Sequence, residues 1–278
     1  MNPDLALPKR PDRRQWLLQA GKAFATLGLL PGLAWSEDDP TGGDPLGSMQ
    51  WPQLRRKFIG TEPMRFNPAV QVQGPPFAED AMNVPLLIDA RALIEQGHEI
   101  DRIVVVADRN PVQQVLSFMP IKAKPVLALR LRMEQASPVR ALVRTRAGEW
   151  QVGQTWINAA GGGCTVPGAT RADGTWPKTL NQVQARLFTN RLDAGGTRLR
   201  LRVMHPMDTG LVAGVPAFHL EELELRDAAG QLWWRLELHE PVAENPLLTF
   251  ELGPRPAGTL LLQGRDNNGN RFEQEIAP

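Results

Sequence analysis

The sequence has a single cysteine, Cys164, among its 278 residues. One cysteine excludes a disulfide within the chain, so that in an oxidising compartment it is either an intermolecular link or a free reactive thiol. The four histidines, His98, His205, His219 and His239, show no paired spacing such as H-x-x-x-H. Because a metal site needs three or four converging ligands, the sequence predicts no metal and no cofactor, with surface or capping roles for the histidines.

Neither sign of charge is in large excess, since 31 basic residues face 30 acidic ones. The basic excess lies in residues 1–36, and the remainder is slightly acidic. Such a body cannot neutralise many phosphates, which argues against nucleic acid as a partner. A membrane span is not predicted either, because the most apolar N-terminal stretch is short and contains Gln19 and Lys22.

The N-terminus has the order of a twin-arginine export signal. Arg13 and Arg14 precede a mildly apolar stretch that ends in the small-x-small sequence 34–36. This order predicts a signal peptide over 1–36, with cleavage after Ser36 and a periplasmic mature protein. An ordinary amphipathic N-terminal helix is the alternative interpretation.

Beyond the N-terminus the apolar residues follow the pattern of strands. The runs 126–133, 197–204 and 232–238 alternate apolar with polar residues, the period of a half-buried strand. The run 100–108 is continuously apolar and β-branched, as in a core strand, and 139–157 is typical of two strands joined by a turn. Many short strands with turn residues between them predict an all-β fold of two immunoglobulin-like β-sandwich domains.

The predicted boundaries follow the composition. Residues 37–47 are polar and rich in proline and glycine, which favours a flexible linker with nothing to bury. The first sandwich is predicted over 48–157, opening on a short helix with Ser48 as its cap. A Gly-rich, cysteine-bearing arm and linker is expected over 158–180, and the second sandwich over 181–278.

Two local patterns concern turns and contacts. Asn268-Gly269 predicts a hairpin turn, because the surrounding residues lack the glycine and glutamate that a calcium loop needs at its sixth and twelfth positions. The pair Trp233-Trp234 lies in a predicted strand, where successive side chains point to opposite faces. Either one ring marks a contact surface or both faces of the strand are covered.

The chemistry-bearing candidate is Cys164, which directly follows Gly161, Gly162 and Gly163. Glycines before the cysteine and a Pro-Gly turn after it predict a slim, mobile arm that presents the thiol. No Lys, Arg or His lies within several positions, so the expected thiol pKa is the ordinary one of about 8.5. No base stands beside the thiol, which favours reversible thiol chemistry over nucleophilic catalysis, and the chain is therefore not expected to be an enzyme.

Several blocks of the sequence resemble two known protein families. The C-terminal half resembles SoxZ in the blocks HPMDTG (205–210), VPAFHLEELEL (215–225), ENPLLTFEL (244–252) and RDNNGN (265–270). The N-terminal half resembles SoxY in the blocks EDAMNVPLLIDA (79–90), IVVVADRNPVQQVLSF (103–118) and GGGC (161–164). SoxY and SoxZ are the partners of the periplasmic sulfur-carrier complex of thiosulfate oxidation.

The resemblance implies two sandwiches that dock on each other and a carrier that holds sulfur intermediates covalently on Cys164. Its expected partners are periplasmic sulfur-oxidising enzymes, or the quinoprotein (PQQ) dehydrogenase or cytochrome c with which fused SoxYZ-like carriers occur. SoxY ends in a free Gly-Gly-Cys-Gly-Gly tail, whereas here Thr165 and a whole second domain follow the cysteine. A loop that is tethered at both ends cannot enter a narrow tunnel end-on as a free tail can. The alternative function is a non-catalytic accessory module of a quinoprotein dehydrogenase.

Overall fold

Two mainly antiparallel sheets packed face to face make up the part of the chain that the computed structural model describes, residues 42–190 and 195–278. The predicted signal peptide and the first residues of the predicted linker lie outside the described residues. The strands are β1 (Met64–Phe66), β2 (Gln71–Gln73), β3 (Phe77–Ala78), β4 (Val84–Asp89), β5 (Ile100–Ala107), β6 (Gln114–Met119), β7 (Val126–Leu131), β8 (Ser137–Thr145), β9 (Trp150–Ala159), β10 (Val183–Asn190), β11 (Gly196–Val203), β12 (Leu220–Asp227), β13 (Leu232–Leu238), β14 (Leu247–Pro254), β15 (Leu260–Asp266) and β16 (Arg271–Ile276). The helices are α1 (Trp51–Phe58), α2 (Arg91–Glu95), α3 (Ala169–Ala172) and α4 (Trp176–Thr179).

Both sheets run across the two halves of the sequence. The ten-stranded sheet has the order β1-β9-β8-β5-β6-β13-β12-β15-β16, with β3 also pairing with β9. The six-stranded sheet has the order β10-β11-β14-β7-β4-β2. The pairs β6–β13 and β7–β14 join the halves edge to edge, and one continuous hydrophobic core lies between the sheets. The predicted all-β fold with two immunoglobulin-like β-sandwich halves is confirmed.

The alternating strands face the core as their period requires. On β11, Leu199, Leu201 and Val203 are buried, whereas Arg200 and Arg202 are exposed. Burying each such aliphatic side chain contributes about 2 kcal/mol from the removal of apolar surface from water. The period-2 prediction for this strand is confirmed.

The continuously apolar strand β5 is buried on both faces. Val105 lies in the core between the sheets, whereas Val104 and Val106 pack with Trp51 and Leu54 of α1 in a second cluster. The helix therefore covers part of the outer face of the ten-stranded sheet, which explains why the apolar residues of β5 do not alternate with polar ones.

Among the described residues, no helix is long and apolar enough to cross a membrane.

The start of α1 differs from the prediction. Gln50 and not Ser48 occupies the cap position, and no side chain caps the helix. Pro52 lies in the first turn, where its missing N–H costs no helical hydrogen bond. Ser48 instead donates its backbone N–H to the Asp44 carboxylate, at 2.8 Å.

The described part of the predicted linker is not a free chain, and that expectation is wrong. The Asp44 side chain is buried and binds the guanidinium of Arg140, which also binds Asp108. The same guanidinium lies 4.3 Å from the Trp51 ring centroid. The two carboxylates offset the desolvation of this buried guanidinium. Arg140 therefore holds the linker residue Asp44 against the sheet.

The structure tests the two local predictions, the Asn-Gly turn at 268–269 and the tryptophan pair at 233–234. Asn268-Gly269 forms the β15–β16 hairpin turn as predicted, with Gly269 at a φ of 84° and the Asp266 carboxylate accepting the Asn268 N–H. In the tryptophan pair, Trp234 is fully buried in the core. Trp233 is partly buried and donates its indole N–H to a neighbouring aspartate. Neither ring is an exposed anchor, so both faces of this strand are covered.

Candidate functional site

The cysteine-bearing segment between β9 and β10, residues 160–182 and called the Cys loop below, turns back onto the protein. Gly161 and Gly162 have φ angles of 97° and 76°, which glycine adopts without strain. The turn lets Gly162 donate its N–H to the carbonyl of Glu134, and Gly163 donates to that of Met133. The start of the Cys loop therefore pairs with the chain that leaves β7.

Gly163 serves close packing, not reach. A Cβ at this position would lie 2.1 Å from the carbonyl oxygen of Ala81 and 2.7 Å from that of Met133. No side chain fits there without a shift of the backbone. The expected flexible arm of Gly161, Gly162 and Gly163 is thus folded in this structure, because the absence of side chains lets two backbone segments meet.

The structure places Cys164 inside the protein, whereas the sequence predicted a presented thiol. Its side chain is only 2% exposed. Its backbone N–H donates to Glu134 Oε2 at 3.1 Å, and its carbonyl accepts a hydrogen bond from Thr209 Oγ1 at 2.6 Å. These two contacts, called the latch below, hold the cysteine from both sides of its peptide backbone.

The buried position changes the acidity of the thiol. Burial first, and then the negative charge of Glu134, raise the pKa of Cys164 to about 12, against a smaller lowering by Arg132. At neutral pH the thiolate fraction of this closed arrangement is therefore on the order of 1 in 100,000. The expectation of an ordinary thiol pKa is wrong, because burial and the charge of Glu134 both arise from long-range contacts.

Arg132 lies beneath the Cys loop and is only 1% exposed. It donates to the carbonyls of Gly163 and Val166, on either side of the cysteine, and to that of Pro206 from the second half. Burial lowers the pKa of Arg132, while nearby carboxylates and the thiol oppose that shift. The sequence pattern had placed this side chain on the polar face of a strand, but β7 ends at Leu131 and the alternation ends with it.

The second half contributes the HPMDTG block to the same place. Besides the bond from Thr209, Asp208 accepts a salt bridge from Arg171 of α3, within the Cys loop. Further along, the Glu244 carboxylate accepts the N–H groups of Ala169 and Thr170. Two segments of the second half therefore hold the Cys loop, one at the cysteine and one at the start of α3.

Sequence reasoning did not assign Arg132, Glu134 or Thr209 to the site. Glu134 and Thr209 are separated from Cys164 by 30 and 45 residues in the chain. The available signal for Thr209 was the polar HPMDTG block, which was interpreted only as a family resemblance. No comparable signal existed for Arg132 and Glu134.

His205, the first residue of that block, is buried and not a surface or capping histidine. Its Nδ1 accepts the N–H of Met207 at 3.2 Å, and its ring lies 4.5 Å from that of Phe218. Burial lowers the pKa of His205 to about 4, with Asp266 opposing the shift. A second proton on Nδ1 would also break the bond from Met207.

Within 42–190 and 195–278 no group of three or more metal-binding side chains comes together.

This histidine predicts an acid-sensitive HPMDTG loop. The folded pKa of about 4 lies below the ordinary 6.5, so the stabilisation is present above pH 6.5 and is lost as the pH falls towards 4. We expect acid to lower the unfolding free energy by about 3 kcal/mol through this group. Chemical unfolding across this range should show a smaller pH dependence for His205→Gln. An unchanged dependence in the variant would contradict this assignment.

Family models match both halves of the chain. The family described as sulfur oxidation protein SoxY matches residues 55–164, and the family described as sulphur oxidation protein SoxZ matches residues 187–277. The SoxY match ends at Cys164. No curated protein matches the chain significantly.

Two solved structures are similar to part of the chain. The sulfur carrier protein SoxY from Chlorobium limicola f thiosulfatophilum is 20% identical, covers 40% of this chain and 96% of its own, and has a TM-score of 0.34. A candidate superoxide reductase from Thermotoga maritima is 12% identical, covers 37% of this chain and 89% of its own, and has a TM-score of 0.29. By its family matches, the chain carries a SoxY-family domain and a SoxZ-family domain, those of sulfur-oxidation carrier proteins, in one polypeptide.

Proposed function

We propose that this protein is a periplasmic carrier that holds sulfur intermediates covalently on Cys164 while partner redox enzymes act on them, as in thiosulfate oxidation. The observation that carries the proposal is the convergence of the two family domains on one thiol. The SoxY match ends at Cys164, and Thr209 of the SoxZ half binds its carbonyl. The protein itself acts as the substrate-holding partner and not as the enzyme.

The proposed location rests on the sequence. Arg13 and Arg14 and the small-x-small end at 34–36 are the features of a twin-arginine signal. Cleavage after Ser36 would release residues 37–278. An exported carrier would meet sulfur oxyanions and periplasmic redox proteins. Its single thiol, Cys164, has no partner cysteine in its own chain.

The proposed chemistry needs no base on this chain. Oxidative coupling converts Cys–SH and S₂O₃²⁻ into Cys–S–S–SO₃⁻. One proton is released to solvent, and two electrons pass to the redox centre of a partner enzyme. Alternatively, the Cys164 thiolate attacks the outer sulfur of thiosulfate, so that a Cys–S–S bond forms, the sulfur–sulfur bond of thiosulfate breaks and sulfite leaves. A later enzyme would remove the bound fragment.

Either route requires the Cys loop to open. In the closed arrangement the Cys164 thiol is buried and its pKa is raised to about 12, which opposes the formation of the thiolate. The contacts that open first would be the latch at Glu134 and Thr209, because both bind the cysteine backbone directly. We propose that partner enzymes act on the opened loop.

Intact-protein mass spectrometry of the mature protein tests the carrier function. We expect a mass gain on exposure to thiosulfate with a mild oxidant, or to sulfide with a mild oxidant, that is confined to Cys164 and reversed by a reductant. Cys164→Ser is the matched control, since serine is close in size but forms no such adduct. It should fold like the parent protein and gain no mass. An equal gain in the serine variant, or an unmodified thiol under every condition, would refute covalent carriage.

The burial of Cys164 favours a second candidate, a non-catalytic accessory module that binds a periplasmic quinoprotein dehydrogenase or its cytochrome c through its surfaces. A thiol that is only 2% exposed suits a packing role in the closed protein. For this candidate, affinity for the partner should be the same in the parent protein and in Cys164→Ser. Affinity that depends on the thiol or on its adduct would instead favour the carrier.

A further inference from the structure

We propose that the outer face of the six-stranded sheet is a docking surface for a partner protein with an acidic patch. A groove of about 730 Å³ lies on this face. Four exposed arginines, called the arginine face below, line it: Arg130, Arg186, Arg200 and Arg202. They come from β7, β10 and β11, so both halves of the chain build the face.

The arginine face has no carboxylate partner among the described residues. Across residues 42–190 and 195–278, none of the four guanidinium groups forms an ion pair with a carboxylate. Two glutamates also line the groove, Glu244 and Glu275. The Glu244 carboxylate already accepts the N–H groups of Ala169 and Thr170. The groove therefore keeps a positive excess.

The register of the strands places like charges together. Arg186 lies directly opposite Arg200 in the β10–β11 pair. Like charges at directly opposed positions of a sheet are destabilising. Opposed arginines also occur in the ten-stranded sheet, but there Arg102 and Arg144 share Asp101 and Arg265 pairs with Glu221, so carboxylates offset the repulsion. An acidic partner would relieve the repulsion on the arginine face.

The neighbouring surface has the composition of a protein interface. A second groove, of about 810 Å³, continues across the same sheet and is lined by Pro85, Leu87 and Phe188 together with Arg130 and Arg200. Phe188 is 39% exposed. Protein interfaces combine an apolar centre with arginine and aromatic residues, as this face does. A small anion fits less well, because the arginines are exposed and spread over several strands, where water and salt screen each of them.

The face lies beside the Cys loop, since Glu244 both lines the first groove and binds the start of α3. A partner on the arginine face would therefore meet the segment that carries Cys164. The inference goes beyond the proposed function, because the surface would bind an acidic partner whether or not the thiol carries cargo.

The experiment measures binding of a labelled poly-glutamate peptide to the mature protein, by fluorescence anisotropy at low and at physiological salt. We expect binding that weakens as salt rises, and a loss of at least about tenfold in affinity for Arg186→Glu/Arg200→Glu. This variant keeps two like charges opposite each other, so the repulsion in the sheet is matched. Arg56→Glu/Arg146→Glu is the control with the same net charge, and both of its positions are exposed and outside the two grooves.

Parallel titrations use single-stranded DNA and vesicles containing phosphatidylglycerol. An equal loss in the control variant, or tighter binding of DNA or vesicles than of poly-glutamate, would overturn the inference. If the reversed variant does not fold, Arg200→Gln replaces it. That substitution should weaken peptide binding and raise the Tm, because it removes a like-charge pair, and a lower Tm would contradict the inference. Repeating the titration with Cys164→Ser should change nothing, which separates this test from the carrier chemistry.

Discussion

Opening the latch is expected to raise the rate at which a thiol reagent modifies Cys164 by on the order of 100-fold. The variant is Glu134→Ala/Thr209→Val, which removes the acceptor of the Cys164 N–H and the donor to its carbonyl. A hydrogen bond to a charged group contributes about 1.5–3 kcal/mol and a neutral one about 1 kcal/mol. Their loss therefore shifts the equilibrium between the closed and open Cys loop by about two powers of ten.

The measurement is the pseudo-first-order rate of alkylation by iodoacetamide at neutral pH, followed by intact mass. The increase in rate has an upper limit of about three powers of ten. This is the factor by which the thiolate fraction of an exposed thiol exceeds that of a thiol with a pKa of about 12. Rates in denaturant should be the same for all variants. That comparison shows that differences under native conditions come from the folded protein.

Two conservative variants separate charge from hydrogen bonding. Glu134→Gln keeps an oxygen that can accept the Cys164 N–H but removes the negative charge that raises the thiol pKa. It should speed alkylation moderately, with a lower apparent pKa in a rate-against-pH profile. Thr209→Ser keeps the hydroxyl and should react like the parent protein. If Glu134→Ala/Thr209→Val reacted no faster than the parent, the latch would not control access to the thiol.

Replacing Gly163 by alanine is expected to disrupt the Cys loop more strongly than its single methyl group suggests. The new Cβ would lie 2.1 Å from the Ala81 carbonyl oxygen, far inside contact distance. Backbone atoms on both sides must move, and overpacking of this kind costs about 1–3 kcal/mol. We expect a fall in Tm of several degrees, together with faster alkylation of Cys164.

Gly258→Ala is the matched control for this substitution. Nothing lies within 4 Å of a Cβ at position 258, and its φ is not in the left-handed region, so only the change in backbone entropy remains. The control should leave the Tm and the alkylation rate nearly unchanged. Equal Tm values for Gly163→Ala and Gly258→Ala would show that the Cys loop does not pack against Ala81 in solution.

The strands could be predicted because their pattern is local. Leu199, Leu201 and Val203 alternate with arginines on a single strand, and the period of 2 is imposed by the backbone whatever the neighbouring strands are. The Asn-Gly turn at 268–269 could be predicted for the same reason, since its preferred backbone angles belong to the residues themselves. The role of Asp44 could not, because its partner Arg140 lies 96 residues away in the chain.

The site was only half predictable. The sequence by itself determined that Cys164 is the one thiol, that three glycines precede it, and that a SoxY-family match ends at it and a SoxZ-family match follows it. Only the tertiary structure decided that the thiol is buried and that its pKa is raised, because burial and the charge of Glu134 raise that pKa and Thr209 helps to hold the cysteine inside. Glycine spacing permits an arm to be mobile, but it equally permits two backbones to touch. Long-range contacts, which no local pattern encodes, selected the packed alternative.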